Sequence, residues 1–300
     1  MSIEDDPDFG RRLTEVADRM TVVLDQLIPP AQGPEADLMR AMRHSALANG
    51  KRMRPFYVIE TGMMFDAPEK SLLRAAAALE CVHCYSLVHD DLPCMDDDDF
   101  RRGQPTVHKA FNEATAVLAG DALLTLAFKI LANAETHPDA NVRLKLIERL
   151  ADASGAQGMV GGQMIDMLET ESPRDLNTIT RMQRLKTGAL ISYSVEAGAI
   201  IGGASDAERQ ALHGFAHDLG LAYQISDDLL DALGNEAEVG KPLRTDEEAG
   251  KANFVTLLGL EQAGERVRLL AAQAKEHLAI FRNRANILLQ SVDFVLDRKH

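Results

Sequence analysis

The chain has 300 residues, of which 46% are hydrophobic, and it carries a formal net charge of −14. This length and composition suffice for one large domain that buries roughly three quarters of its chain surface. Nucleic-acid-binding proteins carry basic surfaces, so the negative net charge argues against nucleic acid as a partner. The N-terminus has no signal-peptide pattern, and no uninterrupted apolar run anywhere in the sequence is long enough to span a membrane. We therefore expect a cytoplasmic protein without an integral membrane segment.

Three cysteines, Cys81, Cys84 and Cys94, are consistent with a reducing compartment. Cys81 and Cys84 form a C-x-x-C, the spacing of some zinc and redox motifs. They lie at helical spacing in an apolar segment, and no second cysteine pair is present. We interpret them as core residues rather than as a metal or redox site.

Apolar residues recur at helical spacing along almost the whole chain. Pro29-Pro30 and Gly50 end two of these segments, and Pro55 is expected to begin a third. The pattern predicts helices over residues 9–28, 36–48, 55–64, 69–91, 113–135, 139–154, 156–170, 175–198, 206–231, 252–261, 263–280 and 283–296. No stretch shows sustained β alternation. We predict an all-α fold, a single-domain bundle of about 10–13 helices over residues 1–300.

The segment His83–Gly103 places six carboxylates within ten residues. An apolar helical segment leads to Asp90-Asp91, and Pro93 prevents the helix from continuing. Four more acids, Asp96–Asp99, follow. The end of a helix is the negative pole of its dipole, so these acids require a cation. Oxygen ligands without a Cys/His set favour Mg²⁺, and Arg101-Arg102 are forked phosphate binders. The segment indicates a diphosphate site, with a solvated acidic loop as the alternative.

A second acidic cluster consists of Asp227, Asp228 and Asp231. Asp227 and Asp231 lie on one helical face, about 5.4 Å apart along the axis. Leu229 and Leu230 make the surrounding segment mostly apolar. This composition favours acids that face a cavity over an ordinary amphipathic surface helix. We predict that the two acidic clusters close around a shared metal site in the bundle core.

Basic residues occur in scattered groups that also suit a phosphate. Gly50–Pro55 places three cations at a helix junction, and Lys186–Gly188 combines an ammonium, a hydroxyl and a flexible backbone. Lys241 and Lys251 flank a polar stretch after the second acidic cluster. His83 lies on nearly the same helical face as the first acids. Each group alone is also consistent with solvated charges or, for His83, a core residue.

In their order and spacing these motifs resemble the trans-isoprenyl diphosphate synthases, most closely bacterial enzymes of the farnesyl diphosphate synthase type. The first aspartate-rich motif of that family, D-D-x-x-x-x-D, corresponds to Asp90, Asp91 and Asp96. The second, D-D-x-x-D, corresponds to Asp227, Asp228 and Asp231. Other signatures correspond to Gly50–Pro55, Gly162-Gln163-x-x-Asp166, Lys186–Gly188, Tyr223-Gln224 and Lys251.

The resemblance implies a helical isoprenoid synthase fold around a central cavity and a head-to-tail condensation. Isopentenyl diphosphate would be joined to dimethylallyl and then geranyl diphosphate, mainly giving farnesyl diphosphate. Three Mg²⁺ ions, for which Mn²⁺ can substitute, would be held chiefly by Asp90, Asp96 and Asp227, with Asp91 and Asp231. A homodimer is the usual assembly in the family.

The resemblance also assigns the substrate contacts. The allylic diphosphate would be bound by Arg101, Lys186, Lys241 and Lys251. Isopentenyl diphosphate would be bound by Lys51, Arg54, His83 and Arg102. The carbocation would be stabilised by the Lys186 carbonyl, the Thr187 hydroxyl and the Gln224 amide oxygen. The departed pyrophosphate would remove the final proton, so no side-chain base is required.

Product length would depend on Tyr85 and Ser86, which precede the first acid and line the cavity floor in similar enzymes. An aromatic residue five positions before the first acid, here Tyr85, and the Pro-Cys insertion in the first motif are typical of farnesyl synthases. Geranylgeranyl and geranyl diphosphate remain alternative products.

Three other classes fit parts of the sequence. His89-Asp90 matches the pair of a helical metal-dependent phosphohydrolase, but His44, His83 and His108 lack matching acidic partners. A terpene cyclase shares the first acidic motif and typically replaces the second with an Asn/Ser/Glu triad. A non-catalytic synthase subunit would have lost an acidic motif, and both are intact here.

Overall fold

The computed structural model describes residues 7–168, 175–233 and 253–296, and these are largely helical, which confirms the all-α prediction. The α-helices are α1 (Pro7–Leu27), α2 (Ala36–Ala46), α3 (Met53–Met63), α4 (Glu69–Asp90), α5 (Val107–Ala110), α6 (Glu113–Ala132), α7 (Ala140–Ser154), α8 (Met159–Met167), α9 (Leu176–Gln183), α10 (Ala189–Ile201), α11 (Asp206–Leu233), α12 (Phe254–Leu258), α13 (Leu260–Leu278) and α14 (Asn286–Leu296). The other elements are a π-helix (Arg184–Gly188), a 3₁₀ helix (Ala279–Ala285) and the strands β1 (Phe100–Arg101) and β2 (Gln104–Pro105).

Two predicted helix boundaries differ from the structure in an informative way. Helix α3 begins at Met53, so Pro55 lies in its first turn instead of starting it. Proline is tolerated there because the first amides of a helix have no partner within it. The predicted helix 175–198 is interrupted by the π-helix, which contains Lys186–Gly188. The interruption coincides with the motif that breaks the helical pattern in the sequence.

A short antiparallel hairpin follows the first acidic motif and was not predicted. Phe100 pairs with Pro105 and Arg101 with Gln104. The turn residues Arg102 and Gly103 have φ values of 53° and 75°. Two positive φ values in a two-residue turn match the right-handed twist of the strands. The hairpin therefore places Arg101 on a strand and Arg102 in the turn.

The described residues fall into two compact units. The N-terminal unit takes its residues from Arg12–Arg149 and Ile200–Gly203. In it, α4 packs against α3 and α6, and its alanines Ala75–Ala78 are fully buried. Small side chains allow close helix packing, so α4 forms the centre of this unit. The organisation as a single domain stays a prediction.

The C-terminal unit takes its residues from Met1–Arg11, Leu150–Ala199 and Ala204–His300. Its longest element is the 28-residue helix α11, which packs against α13. Buried residues of α11 include Phe215, Leu219 and Ile225, which lie on the same side of the helix. This side fixes the rotation of α11 and thereby the direction of the second acidic motif near its end.

Helices α4 and α6 have the length and mean hydropathy of a membrane span. Neither is an uninterrupted apolar run, because α4 contains Arg74 and Glu80 and α6 contains Asp121 and Lys129. Of the apolar window in α4, 72% is buried within the protein, and of that in α6, 44%. A core helix passes the same test of length and composition, and the burial of α4 is that of a core helix.

Candidate active site

The first acidic motif lies at the C-terminal end of α4. The backbone amide of Asp96 donates to the carbonyl oxygen of Asp90 at 2.8 Å, which closes the loop between them. The amide of Asp97 similarly donates to Leu92 at 3.1 Å. Asp90 is half-buried and Asp96 is exposed. The loop thus brings the first and last acids of D-D-x-x-x-x-D to one helix end, where the helix dipole favours a cation.

Arg101 on β1 is held by two carboxylates of the same motif. Its Nε donates to Asp91 Oδ1 at 2.5 Å, and its Nη2 donates to Asp98 Oδ2 at 2.9 Å. Asp91 is 3% exposed, and burial raises the pKa of its carboxyl group while Arg101 opposes the rise. Asp91, a predicted metal ligand, is therefore bound to a predicted phosphate ligand.

The predicted isopentenyl diphosphate ligands all belong to the N-terminal unit. Lys51 is exposed, and Arg54 is half-buried with Nη1 at 3.4 Å from His83 Nε2. Burial, together with the nearby Arg54 and Arg102 charges, lowers the pKa of His83 well below its ordinary value. Neutral His83 can accept from Arg54 at Nε2 and keep its proton on Nδ1.

The predicted floor residues lie one turn before Asp90. Tyr85 is 7% exposed, and its ring contacts His89 edge-on at a centroid distance of 5.8 Å. Burial and the Asp90 charge raise the pKa of Tyr85 to about 12, so its phenol stays protonated. The Ser86 hydroxyl donates to the His83 carbonyl at 2.9 Å. Tyr85 is the bulkier of the two predicted floor residues.

In the C-terminal unit, a chain of hydrogen bonds joins Thr187 and Gln224, which are predicted to stabilise the carbocation, to the second acidic motif. The Thr187 hydroxyl donates to Gln224 Oε1 at 3.2 Å, and Gln224 Nε2 donates to Asp228 Oδ1 at 3.2 Å. Asp228 is 3% exposed and also accepts from the backbone amide of Phe254 at 2.9 Å. Because a carboxylate only accepts, Asp228 fixes the amide of Gln224 with its oxygen toward Thr187. Asp228 therefore differs in role from Asp227 and Asp231. Its carboxylate is used in hydrogen bonds within the protein, whereas the other two acids are less buried.

Lys186 is held in the π-helix by residues of α8. Its Nζ donates to Asp166 Oδ2 at 2.5 Å. A Cβ on Gly162, one turn before Asp166, would lie 2.2 Å from the Lys186 backbone nitrogen. On the other side, a Cβ on Gly220 of α11 would lie 3.3 Å from the Gly188 Cα. Glycine at these positions allows the widened turn to fit between two helices, and π-turns of this kind are frequent at functional sites.

Lys241 and Lys251, predicted diphosphate ligands, lie outside the described residues. Within residues 7–168, 175–233 and 253–296, no three acidic, histidine or cysteine side chains form a ready-made metal cage. Mg²⁺ binds through one or two carboxylates and takes other ligands from water and substrate phosphates. The oxygen-only pair Asp90 and Asp96 fits such an ion.

The histidines near the first motif do not form the metal site of a phosphohydrolase. His89 Nε2 lies 3.1 Å from the Val117 carbonyl, and a Cβ on Gly120 would overlap its ring. His44 Nε2 contacts the Pro105 carbonyl at 2.8 Å, and His108 Nδ1 contacts the Thr106 hydroxyl at 3.1 Å. His89 and His44 instead contact backbone carbonyls, and His108 contacts a hydroxyl side chain.

The cysteines agree with the interpretation of the C-x-x-C. Cys81 and Cys84 are fully buried free thiols, and burial raises their pKa, to about 11 for Cys84. Cys94 is exposed. The prediction that Cys81 and Cys84 are core residues is confirmed.

The sequence did not reveal the individual roles of three residues of the site, Glu80, Asp166 and Asp228. Glu80 is a buried acid that binds Arg52 of the basic loop, which we define as Gly50–Pro55; Asp166 holds Lys186, and Asp228 orients Gln224. Asp166 and Asp228 belong to motifs that the resemblance identifies without saying what each oxygen contacts. For Glu80 the available signal was a lone acid within a long apolar segment.

The chain matches known proteins over most of its length. Residues 35–285 match the polyprenyl synthetase family model. The farnesyl diphosphate synthase of Escherichia coli (strain K12) is 44% identical over 276 residues, which cover 90% of this chain and 91% of that protein.

Solved structures agree with the sequence match. An apo FPP/GFPP synthase from Zymomonas mobilis has a TM-score of 0.88 and 45% identity, with 96% of this chain and 99% of that chain covered. A geranyltransferase from Helicobacter pylori, complexed with magnesium and isoprenyl diphosphate, has a TM-score of 0.82 and 31% identity over 95% of each chain.

Proposed function

Because the chain belongs to the polyprenyl synthetase family, we propose that it is a prenyltransferase that makes farnesyl diphosphate. Isopentenyl diphosphate is added to dimethylallyl diphosphate and then to geranyl diphosphate. Each addition proceeds by ionisation of the allylic carbon–oxygen bond, condensation and loss of a proton. The observation that carries the proposal is the closed loop that brings Asp90 and Asp96 to one helix end beside Arg101.

Departure of the diphosphate is assisted by charges held in place before substrate binds. Mg²⁺ held by Asp90, Asp96 and Asp227 would neutralise the leaving group as a Lewis acid, with three ions as the expected number. Asp91 and Asp98 hold Nε and Nη2 of Arg101, which leaves its Nη1 to donate to the diphosphate. Asp166 holds Lys186 by one of its three donors. Preorganised donors of this kind stabilise charge that develops in the transition state.

The allylic cation left by ionisation faces partial negative charges. The Lys186 carbonyl in the π-helix, the Thr187 oxygen and the Gln224 amide oxygen supply them. Since Thr187 donates its proton to Gln224, its remaining lone pairs can point to the cation. Asp228 keeps the Gln224 oxygen in this orientation.

Isopentenyl diphosphate binds at a separate set of bases without metal. Lys51, Arg54, His83 and Arg102 form this set. The lowered pKa of His83 keeps the ring neutral, so it accepts from Arg54 and offers Nδ1–H to the diphosphate. The departed pyrophosphate removes the proton that completes condensation.

The test is an assay of the purified chain with labelled isopentenyl diphosphate and dimethylallyl diphosphate. We expect farnesyl diphosphate as the main product with Mg²⁺, and background product formation after metal removal by EDTA, because the leaving group then lacks its Lewis acid. Release of inorganic phosphate without isopentenyl diphosphate would instead indicate a phosphohydrolase.

Product length gives a second prediction. Replacing Tyr85 by alanine removes the bulkiest side chain beside Asp90, so we expect a shift from farnesyl toward geranylgeranyl diphosphate. Ser86→Ala, which removes one oxygen atom, is the matched control and should shift the product less. Chromatography of the dephosphorylated products measures both. An unchanged product from Tyr85→Ala would contradict the assignment of Tyr85 to the cavity floor.

We also propose a cytoplasmic homodimer in which α6 forms the interface. Val117 and Leu118 on α6 are 41% and 56% exposed, and less than half of the helix's apolar window is buried within one chain. Exposed apolar side chains on a helix of this composition suit contact with a second copy.

A further inference from the structure

Arg52 points inward although it lies in the middle of the basic loop. It is 4% exposed, whereas its neighbour Lys51 is exposed and Arg54 is half-buried. Its backbone has φ 51° and ψ 39°, the left-handed conformation that non-glycine residues rarely adopt. Its carbonyl accepts from the Phe56 amide at 2.9 Å, in the first turn of α3. This backbone conformation turns the Arg52 side chain into the protein, between the exposed Lys51 and the half-buried Arg54.

The Arg52 guanidinium connects three helices. Its Nη1 donates to Glu80 on α4, and both side chains are 1% exposed. Its Nη2 donates to the carbonyls of Ala46 and Ala48 at the end of α2, at 2.7 and 2.8 Å. Unpaired carbonyls at a helix end need such donors. Arg52 therefore joins the end of α2, the start of α3 and the middle of α4.

Glu80 also serves a second arginine. Arg102 Nη2 lies 4.0 Å from Glu80 Oε1. A Cβ on Gly50 would lie 2.8 Å from Arg102 Cζ, so the guanidinium rests against the backbone of the basic loop. One buried carboxylate is thus near two of the guanidiniums that would otherwise repel each other. Because these basic residues outnumber Glu80, the net charge of the cluster stays positive, which suits a diphosphate.

We propose that Arg52 and Glu80 are positioning residues for the isopentenyl diphosphate site. This inference rests on the proposed function and deepens it. Neither side chain reaches the substrate. Arg52 sets the direction of Lys51 and Arg54 on either side of it, and Glu80 holds Arg102 against Gly50. The pair therefore controls affinity for isopentenyl diphosphate and leaves binding of the allylic substrate unchanged.

A purely structural ion pair is the competing explanation, and a double variant separates the two. Replacing both members of a buried pair by apolar residues of similar volume is often neutral or stabilising, because no unpaired charge remains. In Arg52→Met/Glu80→Met no unpaired charge remains, but the Ala46 and Ala48 carbonyls lose their donor, so we expect a folded protein with a somewhat lower melting temperature than the wild type. We also expect the KM for isopentenyl diphosphate to rise about 10-fold or more through misplacement of its ligands, while the KM for geranyl diphosphate changes less than about 2-fold.

The matched control is Arg12→Met/Glu60→Met, which removes another ion pair with a buried acid in this unit, one that includes no predicted ligand. Arg12 Nε lies 2.7 Å from Glu60 Oε1, and Glu60 is 6% exposed. Neither residue neighbours the basic loop in sequence, so both KM values should stay at the wild-type level. Arg52→Lys supplies a milder variant that keeps the charge but lacks the fork needed for Glu80 and two carbonyls. Its KM for isopentenyl diphosphate should also rise.

Titration calorimetry with isopentenyl diphosphate alone, without Mg²⁺, gives a readout independent of turnover. Binding should weaken in parallel with KM in both Arg52 variants. An unchanged KM in Arg52→Lys, or in a folded double variant, would overturn the inference, as would equal rises for both substrates. If the double variant does not fold, the Arg52→Lys result decides. A wild-type chain that neither binds isopentenyl diphosphate nor turns over would instead refute the proposed function.

Discussion

Replacing Asp90 or Asp227 by asparagine is expected to lower kcat about 10³-fold, the largest effect of any single change proposed for this chain. Asparagine keeps the shape of the side chain and removes the charge proposed to hold Mg²⁺. Each variant should fold normally, because removing one of several clustered like charges relieves repulsion. Steady-state kinetics over a range of Mg²⁺ concentrations, with a melting temperature for each variant, measures both parts of the expectation.

The matched control is Asp97→Asn in the same acidic run. Asp97 is exposed and has φ 51°, a conformation that asparagine tolerates well, and no metal role is assigned to it. Its kcat should remain within about 2-fold of the wild type, since surface substitutions usually have small effects. Wild-type kcat and Mg²⁺ dependence in Asp90→Asn would contradict the proposed metal site.

Replacing Gly162 by alanine is expected to lower kcat about 100-fold by displacing Lys186. The new Cβ would lie 2.2 Å from the Lys186 nitrogen and 2.7 Å from its Cα, and backbone atoms cannot rotate away as side chains do. Helix α8 or the π-helix must therefore move, which separates Lys186 from Asp166. Overpacking of this kind also costs about 1–3 kcal/mol of unfolding free energy. Kinetics and chemical denaturation measure the two effects.

Gly264→Ala on α13 is the control for adding a methyl group to a helical glycine. The nearest atom to its Cβ is Arg268 Nη1 at 3.8 Å, so the space is open. Alanine should stabilise the helix by up to about 1 kcal/mol and leave kcat unchanged. Wild-type activity and stability in Gly162→Ala would refute the close approach of α8 to the π-helix.

Much of the helical fold could be predicted because apolar periodicity and helix-ending residues act locally. Pro29-Pro30 ends α1, and Asp227 and Asp231 share a helical face as their spacing predicts. The hairpin at Phe100–Pro105 was not predicted, since strands of two residues are too short to show alternation. Nor can residue type alone mark the left-handed backbone of Arg52, because such conformations are rare for arginine.

In the candidate site, too, the motifs could be predicted from the sequence, whereas the contacts between distant residues could not. Motif spacing predicted the acids and bases of the site, but it could not assign different roles to neighbouring acids. Asp228 accepts from the Phe254 amide, and a backbone amide 26 residues away leaves no side-chain signal in the sequence. Asp91 likewise binds Arg101 only because the unpredicted hairpin turns Arg101 toward it. Roles that depend on tertiary contacts therefore required the structure.

The π-helix at Arg184–Gly188 has a consequence for how this chain tolerates changes in length. A π-turn contains one residue more than an α-turn, while the helices on both sides keep their faces. A deletion of one residue there would restore uniform α-helix and leave α9 and α10 in register. The fold would accept the shorter chain, but the widened turn that contains Lys186 would be lost. Selection against such deletions would then reflect chemistry rather than folding.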